Sequence, residues 1–328
     1  MTRQLVARHE ALPLVRPFRI SRGVKTVADV IVVEITEDGV TGRGEGVPYP
    51  HYGESIAGAF VAIQLARTAL EAGADKHDLL TLLPPGSARN AIDCALWDLE
   101  AKRSHATVAM RLGRAPLAKI VSALTVVIDT PEAMAAATKD IAKAPLIKVK
   151  VDANDPAARI RAVRAAAPDA DLIVDPNESW DRTLLEALQD ALAENRVAML
   201  EQPVPADNDD WLVGYRSKVP IFADEAVHVG GDLDRVEARY QGINIKLDKT
   251  GGLTAALDLA TAARTRGLSV MTGCMVGSSL AIAPALHLAR DADFVDLDGP
   301  IWIAQDRAGG VIDADGWLLP PRPGFWGD

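Results

Sequence analysis

LIKVKV (146–151), DLIVD (171–175), VAMLE (197–201), PIFAD (220–224) and INIKL (243–247) are short apolar runs, nearly all closing on or beside a charged residue. Working outward, ALTVVI (123–128) precedes them, and LSVMT (268–272) and DFVDL (293–297) follow. Ala-rich amphipathic stretches separate the runs. A short apolar run between polar segments reads as a buried strand, and its alternation with helical segments reads as βα units on a parallel sheet. Eight such units predict a (β/α)8 barrel of the TIM type. Upstream, residues 1–46 alternate in polarity, and ADVIVVEITEDGVTGRGEG (28–46) predicts a hairpin around Asp38-Gly39. Residues 55–72 and 87–103 read as helices, the second opening at Ser87. The expected layout is an α+β capping domain over 1–118, the barrel over 119–299, and a segment 300–328, rich in aromatics and prolines, that returns to complete the cap.

The 328 residues are 48% hydrophobic and 24% charged, enough to bury a large core without staples. A formal charge of −10 argues against a nucleic-acid or anionic-membrane partner, which would call for clustered basic residues. No apolar run approaches the roughly 18 residues of a membrane span, and the opening MTRQLVARHEALPL lacks the apolar core of a secretion signal. Cys94 and Cys274 are the two cysteines; both are expected to be free thiols in a cytoplasmic chain.

The chemistry is expected where the strands end. Lys148 and Lys150 close the second strand, Asp175 the third, Glu201 the fourth, Asp224 the fifth and Lys246 the sixth, with Asp296 and Asp298 at the eighth. In a parallel barrel all carboxyl ends open on one face, so charged residues from six strands converge on one mouth. Asp175, Glu201 and Asp224 lie on consecutive strands. Three adjacent carboxylates repel and demand a cation, and an all-oxygen set without Cys or His suits Mg²⁺ or Mn²⁺. The alternative is that the acids are simply paired with the lysines. Asn177, two residues past Asp175, is placed to assist it. Lys148 and Lys150 share the inward face by period 2. Lys246 is four strands away, so a bound substrate has a lysine on each side, the arrangement for removing a proton from one face and returning it to the other. Such a base must be neutral near pH 7; burial, a neighbouring lysine and a divalent cation push in that direction.

KVK, DPN, LEQP, ADE, NIKLDKTGG, GCM and DLDGP, taken in order, resemble the motifs of the enolase superfamily, muconate-lactonizing subgroup, and within it the dipeptide epimerases, those acting on L-Ala-D/L-Glu above all. The resemblance spans almost the whole chain. It implies an Mg²⁺-dependent isomerase that inverts the α-carbon of the C-terminal residue of a dipeptide such as L-Ala-L-Glu, by 1,1-proton transfer between two lysines through an enediolate. It implies Asp175, Glu201 and Asp224 as metal ligands, Lys150 and Lys246 as acid/base catalysts, Lys148 on the substrate carboxylate, and Thr125 as a substrate contact. Asp296 and Asp298 resemble the pair that takes the dipeptide's amino group; the eighth strand faces the fourth, so that group is expected across the mouth from the metal. Arg22, in FRISRG, stands where the family places a lid arginine for the distal side chain, with Arg16 and Arg19 as rivals; HYGES (51–55) reads as a second lid loop, with Tyr52 and Gly53 over the mouth. Cys274 is expected to line the pocket without acting as a nucleophile, and His228 and His287 to be helix or loop residues. One departure stands out: many dipeptide epimerases carry an acid where Gly277 stands, which leaves the side-chain preference open. Peptidoglycan peptide metabolism is the implied setting, and a homo-oligomer is compatible with it. The competing readings are muconate cycloisomerase or o-succinylbenzoate synthase, for which the DxD has no role, and a non-catalytic peptide-binding barrel, for which buried lysines have none. A mandelate-racemase-type dehydratase is disfavoured because MTGCM (271–275) has no His.

Overall fold

The computed structural model describes residues 3–328. Its first part is an antiparallel sheet of β1 (Arg3–Ile20), β2 (Gly23–Glu37) and β3 (Val40–Gly46). The β2–β3 turn is at Asp38-Gly39, both residues having positive φ, as the sequence predicts. The β1–β2 connection is a second hairpin the alternation did not expose: Ile20 pairs with Gly23, so Ser21 and Arg22 alone form its tip. Helices Ile56–Glu71 and Ser87–Ser104 cover one face, burying Ile31, Val33 and Ile35 against Ile63, Ile92 and Leu96. Ser55 caps the first of these helices by accepting the Gly58 N–H.

The second helix lies unusually close to the sheet. Gly42, Gly44 and Gly46 occupy alternate positions on β3, and a Cβ on any of them would collide with the backbone of Ala95, Ala91 or Ser87. A period of 2 on the strand thus meets a period of 4 on the helix. The other side of that helix meets the barrel: Arg89 donates to the carbonyls of Thr250 and Gly251, Asn90 to Asp248, and Asp93 accepts from Thr254.

After β4 (Ile120–Val121) come eight parallel strands: β5 (Leu124–Val126), β6 (Leu146–Lys150), β7 (Asp171–Asp175), β8 (Val197–Glu201), β9 (Ile221–Ala223), β10 (Gly242–Lys246), β11 (Ser269–Gly273) and β12 (Phe294–Asp296). The Ala123 N–H donates to the Val295 carbonyl at 2.8 Å, bringing the first strand to the last. All eight predicted strands are present; β5, β9 and β12 are shorter than their apolar runs. Period 2 explains the inside of the barrel. Ala123, Leu146, Ile173, Met199, Phe222 and Met271 pack as an apolar floor. Two residues further along the same strands stand Thr125, Lys148, Asp175, Glu201 and Asp224, which turns the next layer polar. The intervening residues, such as Val149, Val174, Leu200 and Ile245, face the surrounding helices. Beyond the barrel, β13 (Ile312–Ala314) and β14 (Trp317–Leu319) pair with each other, and β14 pairs with β4. The tail then reaches the cap, where Trp326 Nε1 donates to the carbonyls of Arg43 and Cys94. No helix among the described residues is long and apolar enough to cross a membrane.

Candidate active site

A cavity of about 270 Å³ opens at the carboxyl ends of the strands, under the β1–β2 hairpin. Thr125, Lys148, Lys150, Lys246, Cys274, Asp296 and Asp298 line it from the barrel, and Arg22 and Tyr52 from the cap. Gly53 (φ 75°) turns the chain outside this wall, and Arg16 and Arg19 border a separate depression. Asp175, Glu201 and Asp224 lie fully buried below the lysines.

Lys148 is the hub. Its Nζ lies 2.7 Å from Glu201, 2.8 Å from Asp296 and 3.1 Å from Asp175. One ammonium thus links the eighth-strand acid Asp296 to Asp175 and Glu201 of the trio. Lys150 Nζ donates to Asp175 at 2.5 Å and to Asn177 Oδ1 at 3.1 Å. Asn177 also donates its backbone N–H to Asp175, so it orients the acid and a lysine together. Lys246 Nζ donates to Asp224 at 2.7 Å.

Two buried partners were missed. Lys249 donates to Asp224 at 2.5 Å, and Asn244 Nδ2 to Glu201 at 2.8 Å. Asn244 was legible, since it precedes Lys246 by two on one strand; Lys249, beyond the strand end, was not.

Among the described residues no three acidic, His or Cys side chains close into a ready metal cage; ammonium groups stand between the carboxylates. The donor set nonetheless fits a hard divalent cation. Burial, then Asp175, raises Glu201 to about 7, whereas against burial the lysines hold Asp175 and Asp224 below the ordinary carboxylate range, so within the set Glu201 is the acid left short of counter-charge. Glu201 Oε2 also makes no well-aligned hydrogen bond, although Lys148 is at 2.7 Å. The short separation establishes the ion pair, while poor alignment leaves the oxygen free to ligate.

Two of the lysines are held by their acidic neighbours. Burial opposes charge on Lys148 and Lys246, but the carboxylates outweigh it: Asp296 and Glu201 hold Lys148, and Asp224 and Glu201 hold Lys246, above the ordinary lysine range. Without a metal these lysines are counter-ions.

Thr125 donates its backbone N–H to Asp298 Oδ2 at 2.8 Å, and Trp302 Nε1 donates to the same oxygen at 3.2 Å. Burial and then Asp296 raise Asp298 to about 6. Burial, followed by Asp296 and Asp298, pushes the Cys274 thiol well upward, which suits a wall residue and not a nucleophile. His287 lies in the helix Ser279–Ala289, and His228 sits in a loop with its ring edge-to-face on Tyr52. Gly277 lies against Glu45 and Val47 and is absent from the cavity wall; Glu45 already receives the Ser278 N–H and Arg307. An acid at Gly277 would meet that buried carboxylate.

Arg22 is placed as a latch. It pairs with Glu225 at 2.7 Å and Glu178 at 3.1 Å, and donates to the Asn177 carbonyl. Asn177 and Glu178 both adopt positive φ, a costly turn for non-glycine residues, which the latch contacts help to hold.

Residues 132–325 match the enolase C-terminal domain-like family, and residues 2–113 match the mandelate racemase / muconate lactonizing enzyme N-terminal domain. The chain belongs to the enolase superfamily. Within this superfamily it is 49% identical to an L-Ala-D/L-Glu epimerase of Escherichia coli (strain K12), over 90% of this chain and 93% of that one. It superposes with a TM-score of 0.97 on an enolase family member from Agrobacterium tumefaciens with homology to dipeptide epimerases, crystallised with sodium and L-Ala-L-Glu; the two are 44% identical, and the match covers 99% of this chain and 100% of the other. A dipeptide epimerase from Methylococcus capsulatus, complexed with Mg and L-Arg-D-Lys, superposes with a TM-score of 0.90 at 34% identity, covering 99% of both chains.

Proposed function

We propose that this isomerase inverts the α-carbon of the C-terminal residue of a dipeptide, with Lys150 and Lys246 exchanging the α-proton. The observation that carries this reading is that both lysines, from strands four apart, face one cavity that also holds Asp296 and Asp298. The cofactor is Mg²⁺, with Asp175, Glu201 and Asp224 as the residues that would hold it. Bound there, Mg²⁺ supplies positive charge for the substrate carboxylate as Cα loses its proton. Lys148 adds a fixed positive charge at the floor of the cavity, oriented by three acids before substrate arrives. One of Lys150 and Lys246 takes the proton as an amine while the other, as an ammonium, gives one to the opposite face. The Arg22 latch and Tyr52 exclude water during the exchange. The two free cysteines suit a reducing, cytoplasmic setting.

Incubation with L-Ala-L-Glu and Mg²⁺ in D₂O tests this directly. The glutamyl α-proton is expected to wash out as the L,D-isomer appears by NMR. Absence of exchange with every member of a dipeptide panel would sink the reading. Dialysis against EDTA is expected to abolish turnover, and Mg²⁺ to restore it; turnover that persists without metal contradicts the ligand assignment.

The amino-group anchor gives a pH signature. Asp298 is raised to about 6, so it is charged at pH 7.5 and loses its charge as pH falls through 6. KM for a free dipeptide is therefore expected to rise between pH 7 and pH 5. Asp298→Asn, which keeps an acceptor for Thr125 and Trp302, is expected to raise KM about tenfold or more at pH 7.5. The contrast is an N-acetylated dipeptide, which has no ammonium to lose: equal shifts for blocked and free substrates would remove this role from Asp298.

A further inference from the structure

The glycines of NIKLDKTGG (243–252) take no part in the proton exchange, yet they mark where the cap grips the barrel. A Cβ on Gly251 would meet the Arg89 guanidinium, and one on Gly252 the Asp93 side chain. With no side chains there, the helix Ser87–Ser104 closes onto the helical turn Leu247–Thr250. At the end of that turn Arg89 donates to the carbonyls of Thr250 at 2.5 Å and Gly251 at 3.1 Å. Near its start stands Asp248, whose Oδ1 accepts from Asn90 Nδ2 at 2.8 Å and from the Val47 N–H at 2.9 Å. Asp248 is 7% exposed and Asn90 1%, so this contact is sealed from water.

What the cap holds in this way is the root of a base. Lys246 is the residue on which β10 ends and the turn begins. Within one helical turn the backbone moves as a unit, so a shift of Asp248 carries Lys246 with it. Lys249 of the same turn donates to Asp224, the carboxylate to which Lys246 Nζ also donates. On the cap side, Val47 follows β3 and leads into Tyr49 and Tyr52 of the cavity wall. Lys150 is rooted differently. Past its strand, Asp152 pairs with Arg159 and takes the Trp180 indole N–H on its carbonyl, and both partners belong to the barrel.

Resting on the epimerase reading, we infer that Asp248 is a positioning residue: through Asn90 and Val47 the cap sets the reach of Lys246, while the reach of Lys150 is set within the barrel. Loosening the tie misplaces one base of the two, and a misplacement on the order of 1 Å costs roughly 100-fold in rate. The consequence depends on which isomer is bound. Where the α-proton faces Lys150, it still leaves, the ammonium exchanges with solvent, and a deuteron returns to the same face, so exchange outlasts inversion. Where the α-proton faces Lys246, exchange and inversion fail together.

The test measures initial rates of α-proton exchange and of epimerisation in D₂O, from L-Ala-L-Glu and from L-Ala-D-Glu separately, in the Mg²⁺-loaded full chain. In Asp248→Ala the ratio of exchange to epimerisation is expected to rise about 10- to 100-fold from one isomer, the same one that continues to exchange in Lys246→Ala, and not to rise from the other. Asp248→Asn, which keeps an acceptor oxygen for Val47 and Asn90, is expected to restore the parent ratios; a shift as large as that of Asp248→Ala would overturn the acceptor role. Asn90→Ala keeps the Val47 contact and is expected to move the same ratio in the same direction by about threefold or more. It decides the question alone if Asp248→Ala does not fold. Ratios within about twofold of the parent from both isomers, whatever the loss of rate, are what a merely structural contact gives; with a parent that epimerises, they overturn the role of Asp248 and leave the epimerase reading standing. A rise confined to the isomer that exchanges in Lys150→Ala overturns the link to Lys246. A parent inert toward every dipeptide overturns the epimerase reading and this inference with it.

Discussion

Alanine at either Lys150 or Lys246 is expected to reduce epimerisation by about 10³-fold or more, the scale of losing a positioned acid or base from a proton transfer. The loss should be chemical and not structural. When Lys150 is removed, Asp175 keeps Lys148 at 3.1 Å and the Asn177 N–H at 2.9 Å. When Lys246 is removed, Asp224 keeps Lys249 at 2.5 Å. Neither change strands a buried carboxylate, which is what usually makes the breaking of a buried ion pair ruinous for folding. Thermal midpoints within a few degrees of the parent and preserved Mg²⁺ binding should accompany the lost turnover. Residual epimerisation above about one tenth of the parent rate in either variant would show that the wrong base has been assigned.

Valine at Gly44 should do the reverse, leaving every site residue in place and removing the support beneath them. A side chain here points into the Ala91 carbonyl and the Ala95 amide. The helix cannot back away, because Arg89, Asn90 and Asp93 fasten its far side to the barrel. Overpacking a site with no room to relax costs about 3 kcal/mol or more, which at an unfolding entropy of about 2.1 cal/mol/K per residue over 328 residues lowers the midpoint by about 4 °C or more. Differential scanning calorimetry reads this, and a midpoint within about 2 °C of the parent would mean that the strand–helix seam is softer than its packing indicates.

The barrel was legible because its strands are short, apolar and regularly followed by charge, and because period 2 converts a floor of Leu146, Ile173 and Met199 into a mouth of Lys148, Asp175 and Glu201. Asp38-Gly39 was legible because its turn demands positive φ at both positions. The Ser21-Arg22 tip lacks that glycine pair, so nothing local marked it as a turn. The commitments of the cations were harder still. FRISRGVK offers Arg19, Arg22 and Lys25 within seven residues, and only the placement of Glu178 and Glu225, some 150 to 200 residues away in sequence, decides which of them is spoken for. The carboxylate contacts that hold Lys246 charged were illegible for a related reason, since Asp224 stands 22 residues from it in sequence.

The anchoring of Trp326 bears on synthesis of the protein. Its indole fills a seam between Arg43 and Cys94, and the latter precedes it by 232 residues. On the ribosome, the first-made region must therefore wait with an open groove until the whole barrel has been translated. Early folding of the amino-terminal part is provisional, and its final consolidation is a late event that follows translation of the barrel.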